Sequence, residues 1–380
     1  MKYMGSKRSM LKNGLGDLLL EQAILFDRFI DLFAGSGFVS WFVAERIAKP
    51  VLAVDLQKYS TILCEAVISR TESLDTEVLN NKWIAEAKRK RNASYLWKKA
   101  KHFSNEAIEM RAYVEQARIL CEIKSLIGPI WNAYGGHYFS PTQALTFDYL
   151  LDNLPKENEE RVVCLAACIA AASECVASPG HTAQPFQPTE GAGKYILESW
   201  RQDPLEHCKN NLGFLCPKFA KVPGCVITAD AQNVIAQLNS KDLVFIDPPY
   251  SGVQYSRFYH VLETIARCFK QISVTGVGRY PSLDERPQSK FSNISQAKDA
   301  LKLILKGIAE KGSTIIFTFP SGDSSNGLSG DYIIAVASEW FQIEDKNIIK
   351  GNFSTLGGNN EIRNARSTSS EMILILRPRY

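Results

Sequence analysis

The sequence lacks the long apolar runs and sorting signals that mark membrane and secreted proteins. Its longest apolar stretch, at about residues 162–172, falls well short of the ~20 residues that a membrane span needs. The N-terminal segment is polar and does not have the pattern of a secretory signal. No internal repeat and no low-complexity tract is present. We therefore expect a globular, cytoplasmic protein.

The chain also lacks a strong excess of charge of either sign. Its 380 residues carry a formal net charge of only +4. A uniformly basic nucleic-acid-binding protein is therefore excluded, and any basic surface must be local.

Cysteines are present, but they lack the spacing of a disulfide framework or of a metal site. There are nine, an odd number, and no Cys-x-x-Cys pair occurs. Cys208, Cys216 and Cys225 lie near His207, but their spacings are not those of zinc ligands. We expect small buried thiols in a reducing compartment and no metal.

Alternating strand and helix patterns occupy the two ends of the chain. Residues 28–32 and 51–55 are predicted strands that flank a glycine turn and a helix at 38–47. This βαβ unit implies a parallel sheet with a right-handed crossover. Further strands are predicted at 225–230, 242–247, 314–319 and 371–376.

The middle of the chain has a different pattern. Residues 56–225 are dominated by helical periodicity and contain few strand signals. We therefore predict an α/β protein in which residues 1–55 and 226–380 build the sheet domain and 56–225 form a large, mainly helical insertion.

A glycine turn follows the first predicted strand. Gly35 and Gly37 allow close approach of the backbone to a ligand where a strand turns into a helix. The dinucleotide fingerprint needs a third glycine where Ser40 stands, so a hydride-transfer enzyme is disfavoured. Asp31 and Asp55 end the two strands, and a carboxylate at Asp55 suits ribose hydroxyls. The alternative is a purely structural turn.

The tetrapeptide Asp247–Tyr250 is the most informative segment. It follows the apolar run 243–246, so it lies at the carboxyl end of a predicted strand, where open α/β sheets bind ligands. Pro248 and Pro249 have no N–H, and their carbonyl groups are rigid acceptors. Beside Tyr250, these acceptors suit a planar amine that is gripped by its N–H groups while its ring is stacked.

The segment from Tyr3 to Lys7 combines an aromatic ring, a glycine and a lysine. Such a segment can order over an anionic group, although a disordered basic tail fits the same composition.

Together, the three segments resemble the Dam-like DNA adenine methyltransferases, a family of adenine-specific, site-specific DNA methyltransferases. The order of the family motifs is kept: Tyr3 to Lys7, then Asp31 to Gly37, then Asp247–Tyr250. The resemblance covers roughly residues 1–60 and 225–380. It implies a Rossmann-like S-adenosylmethionine-dependent methyltransferase sheet whose insertion at 56–225 recognises the target. It also implies a bacterial or phage origin.

The resemblance also implies two sets of site residues. The catalytic set is Asp247, Pro248, Pro249 and Tyr250. The set around S-adenosylmethionine is Tyr3, Lys7, Asp31, Phe33, Gly35, Gly37, Asp55, Asp230 and Asp247.

Each position carries an implied role. Tyr3 and Lys7 close over the methionine end of the cofactor. Asp31 and the two glycines form the cofactor turn, Asp55 binds the ribose hydroxyls, and Asp230 lies near the cofactor's adenine. Asp247 and the Pro248 carbonyl accept from the target amine, and Tyr250 stacks on a flipped base.

Several segments are candidates for contact with double-stranded DNA. Residues 80–102 carry eight Lys or Arg residues with interleaved aromatic residues, which fits a phosphate footprint or equally a solvated helix face. Loop 178–188, residues 254–257 and loop 273–293 are further candidates, and the last is expected to order only on DNA.

Other readings stay open at this point. A related enzyme could methylate an RNA base or a protein glutamine, and a non-catalytic DNA-binding module could keep the fold. A cognate restriction endonuclease acting separately is a further implied partner, and a monomer suffices to methylate one strand at a time.

Overall fold

The computed structural model describes residues 7–103, 109–354 and 366–379, and the chain divides into two compact units. The sheet unit comprises the described residues within Met4–Glu72, Phe219–Ser256 and Pro287–Tyr380. The helical unit comprises those within Ser73–Lys218 and Arg257–Arg286.

The boundaries of these units differ from those that the sequence predicts at residues 55 and 226. Helix Lys58–Ile68 belongs to the sheet unit because it packs on the sheet strands Val51–Asp55 and Cys225–Thr228. Residues Arg257–Arg286, which follow the tetrapeptide, belong to the helical unit.

Nine strands are present in the described residues. In chain order they are β1 Arg28–Asp31, β2 Val51–Asp55, β3 Cys225–Thr228, β4 Asp242–Ile246, β5 Val274–Thr275, β6 Tyr280–Pro281, β7 Thr314–Pro320, β8 Phe341–Ser354 and β9 Arg366–Pro378.

Seven of these strands form one sheet in the order β3-β2-β1-β4-β7-β9-β8. The first five run parallel, β9 is antiparallel to β7, and β8 is antiparallel to β9. The chain leaves β1 in one direction toward β2 and β3, and β4 continues on the other side of β1. The predicted Rossmann-like sheet is confirmed, and its topological switch point lies between β1 and β4.

The strands next to the switch point are buried on both faces, as expected of parallel strands covered by helices. On one face, Ile30 of β1 and Val244 of β4 pack in a core with helix Ala297–Glu310. That helix contributes Leu301, Ile304, Leu305 and Ile308, whose spacing forms one apolar stripe. Packing of this stripe on the sheet fixes the positions of the strand ends, where the candidate site residues lie.

The sheet unit contains helical segments on the described residues. They are Arg8–Met10, Leu11–Leu15, Gly16–Ala23, Phe38–Arg46, Lys58–Ile68, Ala231–Gln237, Lys290–Ser292, Ala297–Glu310 and Gly330–Ala337. The first three are interrupted at Asn13 and Gly14, where Gly14 has φ 107°.

The helical unit contains the helix Asn158–Cys175, which is buried over Val162–Ser173 and includes the long apolar stretch seen in the sequence. Among the described residues, no helix is long and apolar enough to cross a membrane. The other helical segments are Thr76–Leu79, Asn80–Ala85, Glu86–Ala93, Tyr95–Phe103, Met110–Cys121, Pro129–Tyr134, Pro141–Asp152, Gly193–Trp200, Pro204–Leu215, His260–Ala266 and Leu283–Glu285. Helix Tyr255–Phe258 carries the chain from the sheet unit into the helical unit.

Two features of the sheet were not predicted. Strand β8 pairs with β9 over its whole length, and β9 extends well beyond the predicted 371–376. Among the described residues, the pairs from Ser370 to Arg366 lie past the last pair between β9 and β7, and this part of β9 pairs with β8 alone.

Candidate active site

Three predicted carboxylates lie at the carboxyl ends of neighbouring strands. Asp31 ends β1, Asp55 ends β2, and Asp247 follows directly after β4. Because β1 pairs in parallel with both β2 and β4, these ends share one edge of the sheet. Asp31 and Asp247 flank the switch point, which is where open α/β sheets bind ligands.

Hydrogen bonds to Asp55, at the end of β2, hold the glycine turn in place. The Gly35 N–H donates to Asp55 Oδ2 at 2.8 Å, and the Gln57 N–H donates to Asp55 Oδ1 at 2.8 Å. Gly37 has φ 80° and precedes helix Phe38–Arg46. A Cβ at Gly37 would lie 3.1 Å from Cys64 Sγ and from a Trp41 ring atom. The turn therefore requires glycine for both conformation and space.

Asp31 is a buried carboxylate with one unused oxygen. Its side chain accepts from Ser40 Oγ at 2.7 Å through Oδ2, whereas Oδ1 is buried without a hydrogen-bond partner among the described residues. Burial raises the pKa of Asp31 to about 7, and the charges of Asp247 and Asp55 add to the rise. A buried acceptor of this kind is costly unless a ligand supplies a donor.

Two further cofactor candidates lie near this edge. The Phe33 ring is half-buried and meets the Phe291 ring edge-on, with centroids 5.2 Å apart. Asp230 precedes the short helix Ala231–Gln237 and accepts from the Gln232 N–H at 3.0 Å. Asp230 therefore has a capping role, and its predicted role toward adenine stays a prediction.

The two prolines of the tetrapeptide differ in what their carbonyl groups bind. Asn326 Nδ2, which is fully buried, donates to the Pro249 oxygen at 2.8 Å and to the Phe291 oxygen at 3.0 Å. No described residue donates to the Pro248 oxygen. Tyr250 is half-buried against the sheet core. Of the two proline carbonyl groups, that of Pro248 is therefore the one that meets no donor among the described residues.

Asp247 is anchored through one of its two oxygens. Lys7 Nζ lies 3.0 Å from Oδ1, and Thr318 Oγ1 donates to the same oxygen at 3.0 Å. No donor among the described residues reaches Oδ2, and the side chain is 17% exposed. Burial raises the pKa of Asp247 to about 6, although the neighbouring Lys7 ammonium lowers it. One oxygen is therefore held by Lys7 and Thr318, and the other meets no donor among the described residues.

Lys7 lies beside the tetrapeptide. Its ammonium group also contacts Glu371 Oε2 at 3.0 Å, and its side chain is only 4% exposed. Both carboxylates raise the pKa of Lys7 against the opposing effect of burial. The role predicted for Lys7 toward the cofactor stays a prediction, and Tyr3 lies outside the described residues.

Sequence reasoning missed three residues at this site: Thr318 on β7, Asn326 in the following loop and Glu371 on β9. They lie 71 to 124 positions after Asp247, and no local motif marks them. The predicted strands at 314–319 and 371–376 were the only available signal, since neighbours of β4 in the sheet must present residues to its carboxyl end.

Several basic side chains of segment 80–102 already form contacts within the helical unit. Arg91 is buried, with its guanidinium carbon 3.6 Å from the centre of the Trp97 ring, and burial lowers its pKa to about 10. Lys82 pairs with Glu160 at 2.6 Å, and Arg89 pairs with Glu86 at 2.7 Å. The remaining basic side chains stay candidates for phosphate contact.

The candidate DNA-reading loops are also held by the protein. In loop 178–188, Thr182 is buried, and its carbonyl oxygen accepts from Tyr138 at 2.6 Å. The Gln254 side chain donates to the Ser289 oxygen at 2.9 Å and accepts from the Ser289 N–H at 2.7 Å. The amide of Gln254 is therefore engaged in fixing the chain at 289, and it is not set out toward a nucleotide.

The segment 273–293 differs from the unstructured loop that the sequence predicts. Residues 273–286 contain the antiparallel pair β5–β6 and the turn Leu283–Glu285, and the turn Lys290–Ser292 follows. Arg279 donates from Nε to the Ala133 oxygen at 2.7 Å. These interactions fix the segment through the protein's own contacts.

The switch-point site fits the class of Rossmann-like methyltransferases. The glycine turn and the carboxylates Asp31, Asp55 and Asp247 all lie at one edge of the sheet. The family model of the D12 class N6 adenine-specific DNA methyltransferases matches residues 3–126 and 201–299, more than half of the chain. The chain belongs to this family. The match spans the N-terminal segment, the glycine turn and the tetrapeptide, and it omits 127–200 and 300–380.

A curated relative agrees with this assignment. The chain is similar to the modification methylase LlaI of Lactococcus lactis subsp. lactis, with 25% identity over 312 residues. The alignment covers 78% of the chain and 43% of that relative. The chain thus spans less than half the length of this relative.

Proposed function

We propose that the chain is a site-specific DNA methyltransferase that transfers a methyl group from S-adenosylmethionine to the exocyclic N6 amine of adenine in double-stranded DNA. The observation that carries this proposal is that one oxygen of Asp247 is hydrogen-bonded within the protein while two neighbouring acceptors are not. Asp247 Oδ1 is held by Lys7 and Thr318, whereas Oδ2 and the Pro248 oxygen meet no donor among the described residues. These two acceptors match the two N–H groups of an adenine amine.

The residues of the glycine turn fit S-adenosylmethionine. Its ammonium group suits the unused, buried Oδ1 of Asp31, and its chain can lie against the backbone where Gly35 and Gly37 carry no side chain. Asp55 lies one strand away, and a carboxylate oxygen can accept a ribose hydroxyl in addition to a backbone N–H. When bound, S-adenosylmethionine supplies an electrophilic methyl group whose C–S electron pair leaves with sulfur.

The chain's own contribution is to position and polarise the amine. The lone pair of the adenine amine is delocalised into the ring, which makes the nitrogen a poor nucleophile. Hydrogen bonds from its two N–H groups to Asp247 Oδ2 and to the Pro248 oxygen favour a pyramidal nitrogen whose lone pair is free to form the new N–C bond. The positive charge that develops on nitrogen is stabilised by the Asp247 carboxylate.

Proton loss completes the exchange. After the N–C bond forms, the nitrogen carries one proton more than the product, and that proton can pass to Asp247 Oδ2 or to water. Because the pKa of Asp247 is raised to about 6 by burial, this carboxylate is a better proton acceptor than an exposed aspartate.

The target base must leave the duplex to reach these acceptors. Flipping a base costs a few kcal/mol. Tyr250 is half-buried and packs against the sheet core next to Asp247, and we assign to it the stacking of the flipped adenine that the resemblance implies. Stacking of a base on an aromatic side chain contributes about 1–3 kcal/mol, which offsets much of the cost of flipping.

Methylation-sensitive sequencing of DNA from cells that express the chain tests this proposal. We expect N6-methyladenine at one short sequence motif, and its absence in cells that express Asp247→Ala. Unmodified adenine with the wild-type chain would contradict the proposal. A monomeric state, a separate cognate endonuclease and a bacterial or phage origin stay predictions of the resemblance.

A further inference from the structure

Glu371 is a buried carboxylate next to the tetrapeptide that neither the sequence motifs nor the matched family segments include. It lies on β9, outside the matched residues 3–126 and 201–299. Its side chain is 6% exposed, and Oε2 lies 3.0 Å from Lys7 Nζ. A buried carboxylate is costly unless it is paired, so its place beside the candidate active site calls for a physical explanation.

The backbone fixes Glu371 firmly. It pairs with Pro320 of β7 in the sheet, and the Ser321 N–H donates to the Ser370 oxygen at 2.8 Å. The same strand β7 carries Thr318, which donates to Asp247. The hydrogen-bonded edge of β7 and β9 therefore presents a donor and a carboxylate to the end of β4.

Lys7 is shared between two carboxylates. Asp247 Oδ1 and Glu371 Oε2 each lie 3.0 Å from the same nitrogen, so the two oxygens are within about 6 Å of each other. A single ammonium group cannot neutralise both. If Lys7 faced Asp247 alone, the pair would be neutral, and Asp247 would stabilise the positive charge that develops on the amine nitrogen only weakly.

We propose that Glu371 is a positioning residue for methyl transfer: it shares Lys7 with Asp247, and it thereby leaves the negative charge of Asp247 available to the target amine. This inference rests on the proposed function, since it assigns Glu371 a role through Asp247 and gives it no contact with the substrate.

The effect on titration follows from the groups that face Asp247. Lys7 and Thr318 lower its pKa, whereas burial and Glu371 raise it. Asp31, on the adjacent strand, is coupled to Asp247 by like charge. Replacement of Glu371 by a neutral residue removes a contribution that raises the pKa of Asp247. Asp247 then ionises at lower pH and holds the amine's charge less strongly.

The test compares three variants by single-turnover methyl transfer to DNA over roughly pH 5 to 9. Glu371→Gln keeps the size of the side chain and an oxygen that can accept from Lys7. In its profile of rate against pH, we expect the acidic limb, where the rate falls with falling pH, to move down by about one pH unit, as is typical of losing a like charge at this distance. We expect its plateau rate to fall roughly tenfold, with an unchanged KM for DNA.

Two matched variants serve as controls: one should shift the acidic limb in the opposite direction, and the other keeps the negative charge at position 371. Thr318→Val removes a donor from Asp247 without a change in net charge, so its acidic limb should move up. Glu371→Asp keeps the charge and should stay close to the wild-type limb. An acidic limb that is unchanged or moves up in Glu371→Gln would overturn the inference and leave Glu371 a structural residue.

A second readout does not depend on turnover. The carboxyl resonance of Asp247, followed by ¹³C NMR with labelled aspartate, should titrate at lower pH in Glu371→Gln than in the wild type. If wild-type protein does not methylate DNA, the proposed function fails, while the NMR shift still decides the link between Glu371 and Asp247. If Glu371→Gln does not fold, Glu371→Met, a neutral side chain of similar length, takes its place in the NMR titration, and an Asp247 resonance that titrates as in the wild type would overturn the inference.

Discussion

Asn326 should be essential for the shape of the tetrapeptide although it touches no substrate. Its fully buried amide donates to the Pro249 oxygen at 2.8 Å and to the Phe291 oxygen at 3.0 Å, and its own oxygen accepts from the Leu328 N–H at 3.2 Å. Asn326→Ala leaves two acceptors and one donor without this partner. The net value of a hydrogen bond is about 0.5–1.5 kcal/mol, so we expect a loss on the order of 3 kcal/mol in the free energy of unfolding.

The loss of activity should exceed what this instability explains. Release of the Pro249 carbonyl frees the backbone that carries the Pro248 acceptor, and a misplacement of about 1 Å can cost roughly a hundredfold in rate. We therefore expect kcat for methyl transfer to fall on the order of a hundredfold at a temperature where the variant is fully folded. Urea unfolding and single-turnover transfer measure the two effects separately.

Asn132 in the helical unit offers a matched control. Its amide donates to the Ser125 oxygen at 2.8 Å and to the Gly128 oxygen at 3.4 Å, and its oxygen accepts from the Ser125 N–H at 2.9 Å. Asn132→Ala should lose stability and keep kcat within about twofold of the wild type. The reasoning is refuted if Asn326→Ala keeps wild-type kcat, or if both variants lose activity equally.

Further substitutions test other parts of the site. Because burial raises the pKa of Asp31 from 3.8 to about 7, folded protein binds more protons than unfolded protein in this window, and stability falls as pH rises through it. In urea unfolding, the free energy of unfolding of the wild type should fall by on the order of 3 kcal/mol between about pH 5 and pH 8, whereas that of Asp31→Asn should not show this fall. An equal dependence on pH in both proteins would contradict the prediction. Gly37→Ala should weaken binding of the methyl donor in calorimetry, whereas Gly14→Ala, with φ 107° and open space, should cost only backbone strain of about 1–2 kcal/mol. Gly213→Ala, in helix Pro204–Leu215 with nothing within 4 Å, should raise the melting temperature through a gain of about 0.5–1 kcal/mol, and a lower melting temperature would show hidden crowding.

The parts of the fold that follow from local pattern could be predicted from the sequence. The apolar runs at β1, β2 and β4 and the glycines between them identify a βαβ unit, because buried parallel strands and tight turns have strong local signatures. The same patterns placed Asp31, Asp55 and Asp247 at the ends of strands, and the pairing of β1 with both neighbours brings them to one edge.

The residues that complete the site could not be predicted in this way. Lys7 and Glu371 are 364 positions apart, and their contact depends on the order of strands in the sheet. Strand β8 was missed because the apolar alternation that starts at Phe341 is interrupted by the polar run 344–347, and its pairing with β9 is a tertiary interaction. The contact of Gln254 with Ser289 could not be predicted either, because side chains that fix a loop and side chains that contact DNA have the same chemistry.

Transfer of tritium from methyl-labelled S-adenosylmethionine to DNA, followed by digestion to nucleosides, tests the central claim most directly. The account predicts that the label co-elutes with N6-methyldeoxyadenosine for the wild-type chain and is lost in Asp247→Ala. Label in RNA, in protein or in another nucleoside would contradict it, as would undiminished transfer by Asp247→Ala.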